Sequence, residues 1–198
     1  MPKAVVFSGG KFELSGVNLL KRITLTVAYL CLCLITAVAN GAGDKPASLS
    51  LKDAQGNKVK LGDLRGKIVV VNFWATWCGP CNAEMPMVVK TAASYADKNV
   101  VFIGANADLD ETAKRVPAYV QSHQIAYPIW MGASDSDLSH LQLGIALPAT
   151  IFVDTDGVIR ARILGQMRPG EIEERVDWLL SDRQKPAPPA LVKHLEDK

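Results

Sequence analysis

The sequence predicts an α/β sandwich in which a mixed central β-sheet has flanking helices and an N-terminal β-hairpin. Residues 68–74, apolar apart from Asn72, and residues 100–104 are runs rich in β-branched side chains, typical of strands buried on both faces. From residue 81 onward the apolar period becomes helical. Two hairpin patterns, within residues 49–61 and 150–163, frame this region. Strands that alternate with helical segments place helices against a sheet.

The N-terminal segment is predicted to be a leader rather than part of the domain. Lys21 and Arg22 precede an uncharged apolar run, 23–39, that ends in Ala-Val-Ala, as in a secretory signal. The run has 17 residues, the lower limit for a spanning helix, so cleavage after Ala39 and retention as a single N-terminal anchor both stay open. Either way, we expect residues 1–39 to place the domain in the periplasm or on the outer face of the cytoplasmic membrane.

Charge and cysteine content narrow the class of protein. Four of the 22 Lys and Arg and one of the 20 Asp and Glu lie in residues 1–39, so the remainder carries a net charge of −1. That balance gives no reason to expect a nucleic-acid partner. Cys31 and Cys33 lie in the leader and are interpreted as apolar filler. Cys78 and Cys81 then have no other cysteine to pair with, which excludes a multi-disulfide scaffold.

The first half of the domain, which we expect to span residues 49–183 after a linker at 40–48, begins with a hairpin around the turn at 53–57. A buried strand over 68–74 follows. Pro86 is expected to kink the next helix. That helix shows its apolar period at Cys81, Met85, Val88, Val89, Ala92 and Ala96.

The second half contains a buried strand at 100–104, then a weaker helix over 110–123 that Pro117 interrupts. After a short extended piece, a hairpin is predicted around the Asp-Thr-Asp-Gly turn at 154–157. A last helix has four apolar residues on one face: Ile172, Val176, Leu179 and Leu180. Residues 184–198 are rich in proline and charge, and we expect a flexible tail.

The candidate chemistry lies at the junction of the first buried strand and helix, in Trp77-Cys78-Gly79-Pro80-Cys81. A thiolate is the species that attacks a disulfide. At a helix N-terminus, unpaired N–H groups and the macrodipole favour the thiolate of Cys78. Cys81, one turn on, reaches back to the same sulfur and resolves a mixed disulfide. Gly79 leaves room for a partner chain, and Pro80 is tolerated in the first turn.

The sequence argues against a zinc site or a covalent haem attachment at the two cysteines. A structural zinc site needs four ligands, and His123, His140 and His194 are scattered along a domain with no second cysteine pair. Covalent haem attachment needs a histidine where Asn82 stands. We therefore expect no metal and no cofactor.

Residues 71–81 strongly resemble the active-site segment of thioredoxins, and residues 49–165 resemble the TlpA/ResA/CcmG (redoxin) branch of exported thiol–disulfide oxidoreductases. The marks of this branch are the segment at 61–67, the Cys-x-x-Cys-x-x-Glu-x-Pro extension and Leu-Pro-Ala-Thr at 147–150. The resemblance implies a thioredoxin-like fold and a protein-disulfide reductase. Its substrates would be exported protein disulfides, for example apocytochrome c during cytochrome c maturation, and a membrane dithiol would be its electron donor. We expect a monomer.

The resemblance also assigns individual residues. Pro148 matches the family's cis-proline, which makes Leu147 a substrate-contacting neighbour. Trp77, next to Cys78, is expected to shield the sulfur and to offer contact area to partners. Asn72 stands where thioredoxins have a buried aspartate, and Glu84 takes over the tuning of the cysteine pKa values. The residues alone leave a second interpretation open for Glu84, a solvated first-turn carboxylate stabilised by the helix dipole.

Two other functions stay open as alternatives. A thiol peroxidase of the redoxin type needs a Pro-x-x-x-Thr-x-x-Cys setting, whereas Thr76 and Cys78 are only two residues apart. A redox-inactive metal or assembly chaperone would use the two cysteines as soft ligands for Cu(I).

Overall fold

The computed structural model describes residues 45–194, which form one mixed sheet with flanking helices. The predicted leader, 1–39, lies outside the described residues. The strands are β1 (Ser50–Lys52), β2 (Lys58–Lys60), β3 (Ile68–Trp74), β4 (Val100–Asn106), β5 (Ile129–Met131), β6 (Ala149–Val153), β7 (Ile159–Leu164) and β8 (Leu191–Lys193). The helices are α1 (Gly79–Ser94), α2 (Asp110–Ala113), α3 (Val116–Ser122), α4 (Asp135–His140) and α5 (Glu171–Leu180), with a 3₁₀ turn at Leu61–Leu64.

The sheet has the order β2-β1-β5-β4-β3-β6-β7-β8, with β3 parallel to β4 and antiparallel to β6. This confirms the predicted α/β class and mixed sheet. Every residue of β3 is buried, as its apolar run predicts. Val69, Val71 and Phe73 pack on one side with residues of α4, and Ile68 and Val70 pack on the other with residues of α1 and α5.

Several elements differ from the sequence expectations. The predicted helix over 110–123 is two short helices, and Pro117 occupies the first turn of the second, where a missing N–H costs no helical bond. Pro86 lies inside α1, as its place in the apolar pattern predicts, and the helix continues past it to Ser94; the kink stays a prediction. Helix α4 was not predicted; it begins at a capping box in which Ser134 and Asp137 bond each other's backbone.

The C-terminal segment extends the sheet beyond the predicted domain end at residue 183. Within the predicted tail, Leu191–Lys193 forms β8, which pairs in parallel with Arg162–Leu164 of β7. The Arg175 guanidinium, nearly fully buried, donates to the Pro189 carbonyl at 3.4 Å and so ties the segment to α5. Within residues 45–194, no helix combines the length and hydropathy needed to span a bilayer.

Candidate functional site

The site lies where three strand ends meet at one edge of the sheet. The parallel strands β3 and β4 end together, with Trp74 opposite Asn106, and antiparallel β6 begins at the same edge with Ala149 opposite Phe73. The Ala107 amide donates to the Trp74 carbonyl at 2.9 Å, which keeps the two outgoing chains adjacent. The loop from β3 to α1, the loop after β4 and the loop before β6 therefore converge.

The first of these loops carries the dithiol. Cys78 is the N-cap of α1, in extended conformation, and its Sγ accepts a hydrogen bond from the Cys81 amide at 3.2 Å. The two cysteines form a disulfide with a Cα–Cα distance of 5.2 Å. Cys81 is fully buried and Cys78 nearly so, whereas Trp77, Gly79 and Pro80 around them are exposed. Helix geometry thus supplies a donor and a positive dipole end to the outer sulfur, the one nearest the surface.

Glu84 lies three residues after Cys81 on α1, and it is buried, with 2% of its surface exposed. Its Oε1 accepts from the Asn72 side-chain amide at 2.9 Å, and its Oε2 accepts from the Met167 backbone amide at 2.7 Å. Asn72 also donates to the Thr150 hydroxyl at 3.0 Å, across the β3–β6 pair. The solvated interpretation of Glu84 is therefore wrong: this carboxyl reaches inward to the centre of the sheet.

Burial raises the pKa of Glu84 from its ordinary value of 4.5 to about 7. Removing the carboxylate from water is the largest cause. The hydrogen bonds from Met167 and Asn72 oppose it and lower the pKa, and the nearby charge of Glu171 adds to the increase. A carboxyl that titrates near neutral pH can take up and release a proton under working conditions.

The loop before β6 brings the predicted proline to the site. The Leu147–Pro148 peptide bond is cis, as the resemblance implies. Pro148 is buried, and its carbonyl accepts from the Gly165 amide at 2.9 Å. Leu147 is half-buried and packs against the apolar cluster that contains Cys78 and Cys81. The structure thus brings together the dithiol and these two predicted neighbours.

The loop after β4 contributes a residue that the sequence reasoning missed, Asp108. It is buried, and its Oδ2 accepts from the Thr76 amide at 2.7 Å while its Oδ1 accepts from the Thr76 hydroxyl at 2.6 Å. The Asn106 amide adds a third bond to Oδ2 at 2.8 Å. Asp108 therefore fixes the backbone two residues before Cys78. The polar residues of Asn-Ala-Asp at 106–108, where a buried strand ends, were the available signal.

Helix α3 supplies a second missed residue, Tyr119. Its ring stacks on Trp74 with centroids 4.7 Å apart, and its hydroxyl donates to the Asn82 side chain on α1 at 2.8 Å. Burial raises the pKa of Tyr119 to about 12, so the phenol stays neutral at physiological pH. Tyr119 thus holds the first turn of α1 against the end of β3. Its place on a short, weakly patterned helix offered no signal in the sequence.

Comparison with known proteins is consistent with this geometry. The sequence pattern of the Redoxin family matches residues 41–179. The chain is 33% identical over 135 residues to the thioredoxin-like protein YneN of Bacillus subtilis, covering 68% of this chain and 78% of that protein. It is 32% identical over 142 residues to the thiol-disulfide oxidoreductase ResA of Geobacillus kaustophilus, covering 72% and 79%.

Solved structures show the same fold. The crystal structure of a thiol:disulfide interchange protein of the thioredoxin family from Chlorobium tepidum superposes with a TM-score of 0.60 at 27% identity. The match covers 71% of this chain and 99% of that chain.

Proposed function

The chain belongs to the redoxin family and is a thiol–disulfide oxidoreductase, and from this premise we propose that it acts as a reductase of disulfides in exported proteins. One observation carries the proposal: the Cys78–Cys81 pair caps a helix whose next turn holds a buried carboxyl, Glu84, with a pKa of about 7. This arrangement has a nucleophile at the surface, a resolving thiol beneath it and a proton acceptor behind both.

The reaction begins with the reduced dithiol. The Cys78 thiolate attacks one sulfur of the substrate disulfide, forming a mixed disulfide and releasing the other substrate sulfur as a thiolate. The Cys81 thiol loses its proton and attacks Cys78. The mixed disulfide breaks, the second substrate sulfur leaves with its electron pair and is protonated, and the enzyme is left with the internal disulfide of the structure. Two electrons pass from the enzyme to the substrate.

Glu84 is proposed to accept the Cys81 proton. The two side chains lie three residues apart on one helix, and both are buried. Because Cys81 has no exposed surface, a nearby group is proposed to hold its proton during the second attack. A carboxyl with a pKa near 7 is suited to take the proton and return it to bulk solvent or to the leaving thiolate.

A shallow groove beside the dithiol is proposed to bind the partner. Trp77, Leu109 and Ile145 are large apolar side chains with 59%, 60% and 68% of their surfaces exposed. Together with Leu147 they line a groove of about 440 Å³. Exposed apolar clusters of this kind mark protein interaction sites. The groove suits an extended polypeptide that brings a disulfide to Cys78 and leaves apolar side chains against Trp77.

The remaining assignments come from the resemblance of the sequence to its branch of the family. The substrate is proposed to be an exported protein such as apocytochrome c, whose thiols must be reduced before haem attachment. The oxidised enzyme is proposed to recover its electrons from a membrane dithiol. The apolar leader, 1–39, supports a location in the periplasm or on the outer membrane face.

Trapping the mixed disulfide tests the proposal. In Cys81→Ser the second attack cannot occur, so the variant is expected to accumulate exported partners covalently bound through Cys78. The matched control is the double variant with Cys78→Ser added, which keeps Cys31 and Cys33 and so reports adducts of the leader. Mass spectrometry of reductant-sensitive complexes from intact cells identifies the partner. Equal adduct levels in both variants would refute the proposed chemistry.

The direction of electron transfer is tested by the reduction potential. Dithiols of this fold range from about −270 mV for reductants to about −120 mV for oxidants. Equilibration of the full-length protein with glutathione is expected to place this one in the reducing half of the range. A reduction potential of about −120 mV would contradict the proposed reductase direction. Rapid turnover of hydrogen peroxide by the purified protein would instead favour the peroxidase alternative. If Cys78→Ser kept full activity in cells, the result would favour the redox-inactive chaperone alternative.

A further inference from the structure

Two carboxylates from different helices hold the loop that joins β7 to α5. The Met167 amide donates to Glu84 Oε2 at 2.7 Å, and the next amide in the chain, Arg168, donates to Glu171 Oε2 at 2.7 Å. Glu84 comes from α1 and Glu171 is the first residue of α5. Both carboxylates are therefore bound to one short stretch of backbone, at two consecutive amides. The charge of Glu171 accordingly acts on Glu84.

A histidine from the C-terminal segment completes this arrangement. His194 follows β8, and its amide donates to the Leu164 carbonyl at 2.7 Å. Its Nε2 lies 2.8 Å and 3.0 Å from the two carboxylate oxygens of Glu171. Since an ionised carboxylate only accepts, Nε2 carries the hydrogen of this bond. The two side chains are 11% and 18% exposed, so solvent screens the contact far less than a surface pair.

We infer that Glu171 and His194 are positioning residues for the dithiol chemistry, acting through Glu84. The imidazole holds the Glu171 carboxylate in place and partly offsets its charge. That charge adds to the effect of burial on the pH at which Glu84 exchanges its proton. The inference rests on the proposed role of Glu84 as proton acceptor, and it extends the working site to β8, a strand far along the chain from the cysteines.

Apart from Glu171, the described groups that face Glu84 from the other elements are neutral at physiological pH. From β3 comes the Asn72 amide, and from the β7–α5 loop the Met167 amide. The phenols of Tyr119 and Tyr127 have raised pKa values, with burial as the main cause, and carry no charge at neutral pH. Glu171 is therefore the group whose charge bears on Glu84.

The positively charged Arg175 contacts Glu171 through the backbone carbonyl rather than through the carboxylate. The Glu171 carbonyl accepts from Arg175 Nη1 at 2.9 Å, and the same nitrogen pairs with Glu174 at 3.2 Å. The Arg175 charge is thus shared between a backbone carbonyl and a second carboxylate. The side-chain carboxylate of Glu171 has the Arg168 amide and His194 as its partners.

The test follows the titration of Glu84 by carbon-13 NMR of glutamate carboxyl groups in the oxidised full-length protein, with Glu84→Gln identifying the signal. Glu171→Gln keeps an oxygen for the Arg168 amide but removes the charge, and it is expected to lower the midpoint of Glu84 by a fraction of a pH unit. His194→Gln is expected to raise it by a smaller amount, because the charge of Glu171 is then less well offset by the N–H of the imidazole. Lys193→Ala, an exposed neighbour on β8, is the matched control and leaves the midpoint unchanged.

An unmoved midpoint in Glu171→Gln overturns the inference, and an unmoved midpoint in His194→Gln removes the histidine from it. The oxidised protein performs no thiol chemistry, so the titration does not depend on what Glu84 does for Cys81. The pH profile of disulfide reduction is then measured on the same variants and is expected to shift with the midpoint. A shifted midpoint with an unshifted profile contradicts the proposed role of Glu84 and leaves the electrostatic coupling standing.

Discussion

Glu84→Gln is expected to remove a specific dependence of stability on pH. The carboxyl has a folded-state pKa of about 7 against 4.5 in an unfolded chain. Below pH 4.5 it is protonated in both states and has no effect. Between 4.5 and 7 the unfolded chain has released the proton while the folded protein keeps it, so folding becomes less favourable as the pH rises. Above pH 7 the loss is complete.

The size of the effect follows from the same two values. A change from 4.5 to about 7 corresponds to about 3 kcal/mol, at 1.36 kcal/mol per pH unit. Glutamine does not titrate. Its amide can be accommodated because the buried Oδ1 of Asn72 lacks a hydrogen-bond partner among the described residues and can accept after rotation of the Asn72 amide. The unfolding free energy of the variant, relative to the wild type, should therefore rise by about 3 kcal/mol between pH 4.5 and pH 8.

Urea denaturation of the oxidised proteins at half-unit pH steps measures this difference. Contributions of all other titrating groups are common to both proteins and cancel when the curves are subtracted. Glu111→Gln, which changes an exposed carboxylate paired with Lys114, is the control and should give a nearly flat difference. If the Glu84→Gln difference is equally flat, the carboxyl is not held at a raised pKa and the proton-transfer argument has no basis.

Three further substitutions probe the site. Asn72→Asp places a second carboxyl 2.9 Å from Glu84, so the pair is expected to share one proton, and urea denaturation should show an extra loss of roughly 1–3 kcal/mol between pH 5 and pH 8. Asp108→Ala leaves the amide and hydroxyl of Thr76 without their acceptor and should cost about 2–4 kcal/mol of unfolding free energy. Trp77→Ala should lower kcat/KM for a protein disulfide about tenfold while leaving reduction of a small-molecule disulfide unchanged.

Each of these has its own control. Glu111→Ala, three residues after Asp108 and exposed, should change stability little, and an equal loss in both variants would contradict the anchoring of Thr76. Leu180→Ala removes an exposed apolar side chain on α5 and should leave reduction of the protein disulfide unaffected. A parallel fall for small and large substrates in Trp77→Ala would show that the indole acts on the dithiol rather than on the partner. Identical pH slopes for Asn72→Asp and the wild type would mean that the two carboxyls do not interact.

Local pattern was sufficient for the core of the fold. The β-branched run at 68–74 becomes the central strand because its side chains are apolar on both faces except for Asn72, which is buried and hydrogen-bonded. The Asp-Thr-Asp-Gly hairpin forms as predicted, since Asp154 accepts from the Val158 and Asp156 amides and Gly157 supplies the positive φ. The Cys-x-x-Cys spacing likewise predicts a sulfur at the tip of α1, because one helical turn separates the two residues.

The sequence predicts less accurately the segments whose secondary structure depends on contacts with distant parts of the chain. The tail at 184–198 has the composition of a flexible segment, yet Leu191–Lys193 pairs with β7, because the edge of that strand offers unpaired backbone groups. Helix α4 has six residues, too few for a clear period, and it is stabilised by its cap and by packing of Leu138 in the core.

What the sequence determined by itself was the chemistry available: two thiols one turn apart at the end of a buried strand, and a glutamate one turn further on. Only the tertiary structure decided the environment of that glutamate. Its burial, its bonds to Asn72 and Met167 and its proximity to Glu171 all join residues from separate parts of the chain. A pKa depends on solvent access and on charges nearby in space, and neither quantity is written in local sequence order.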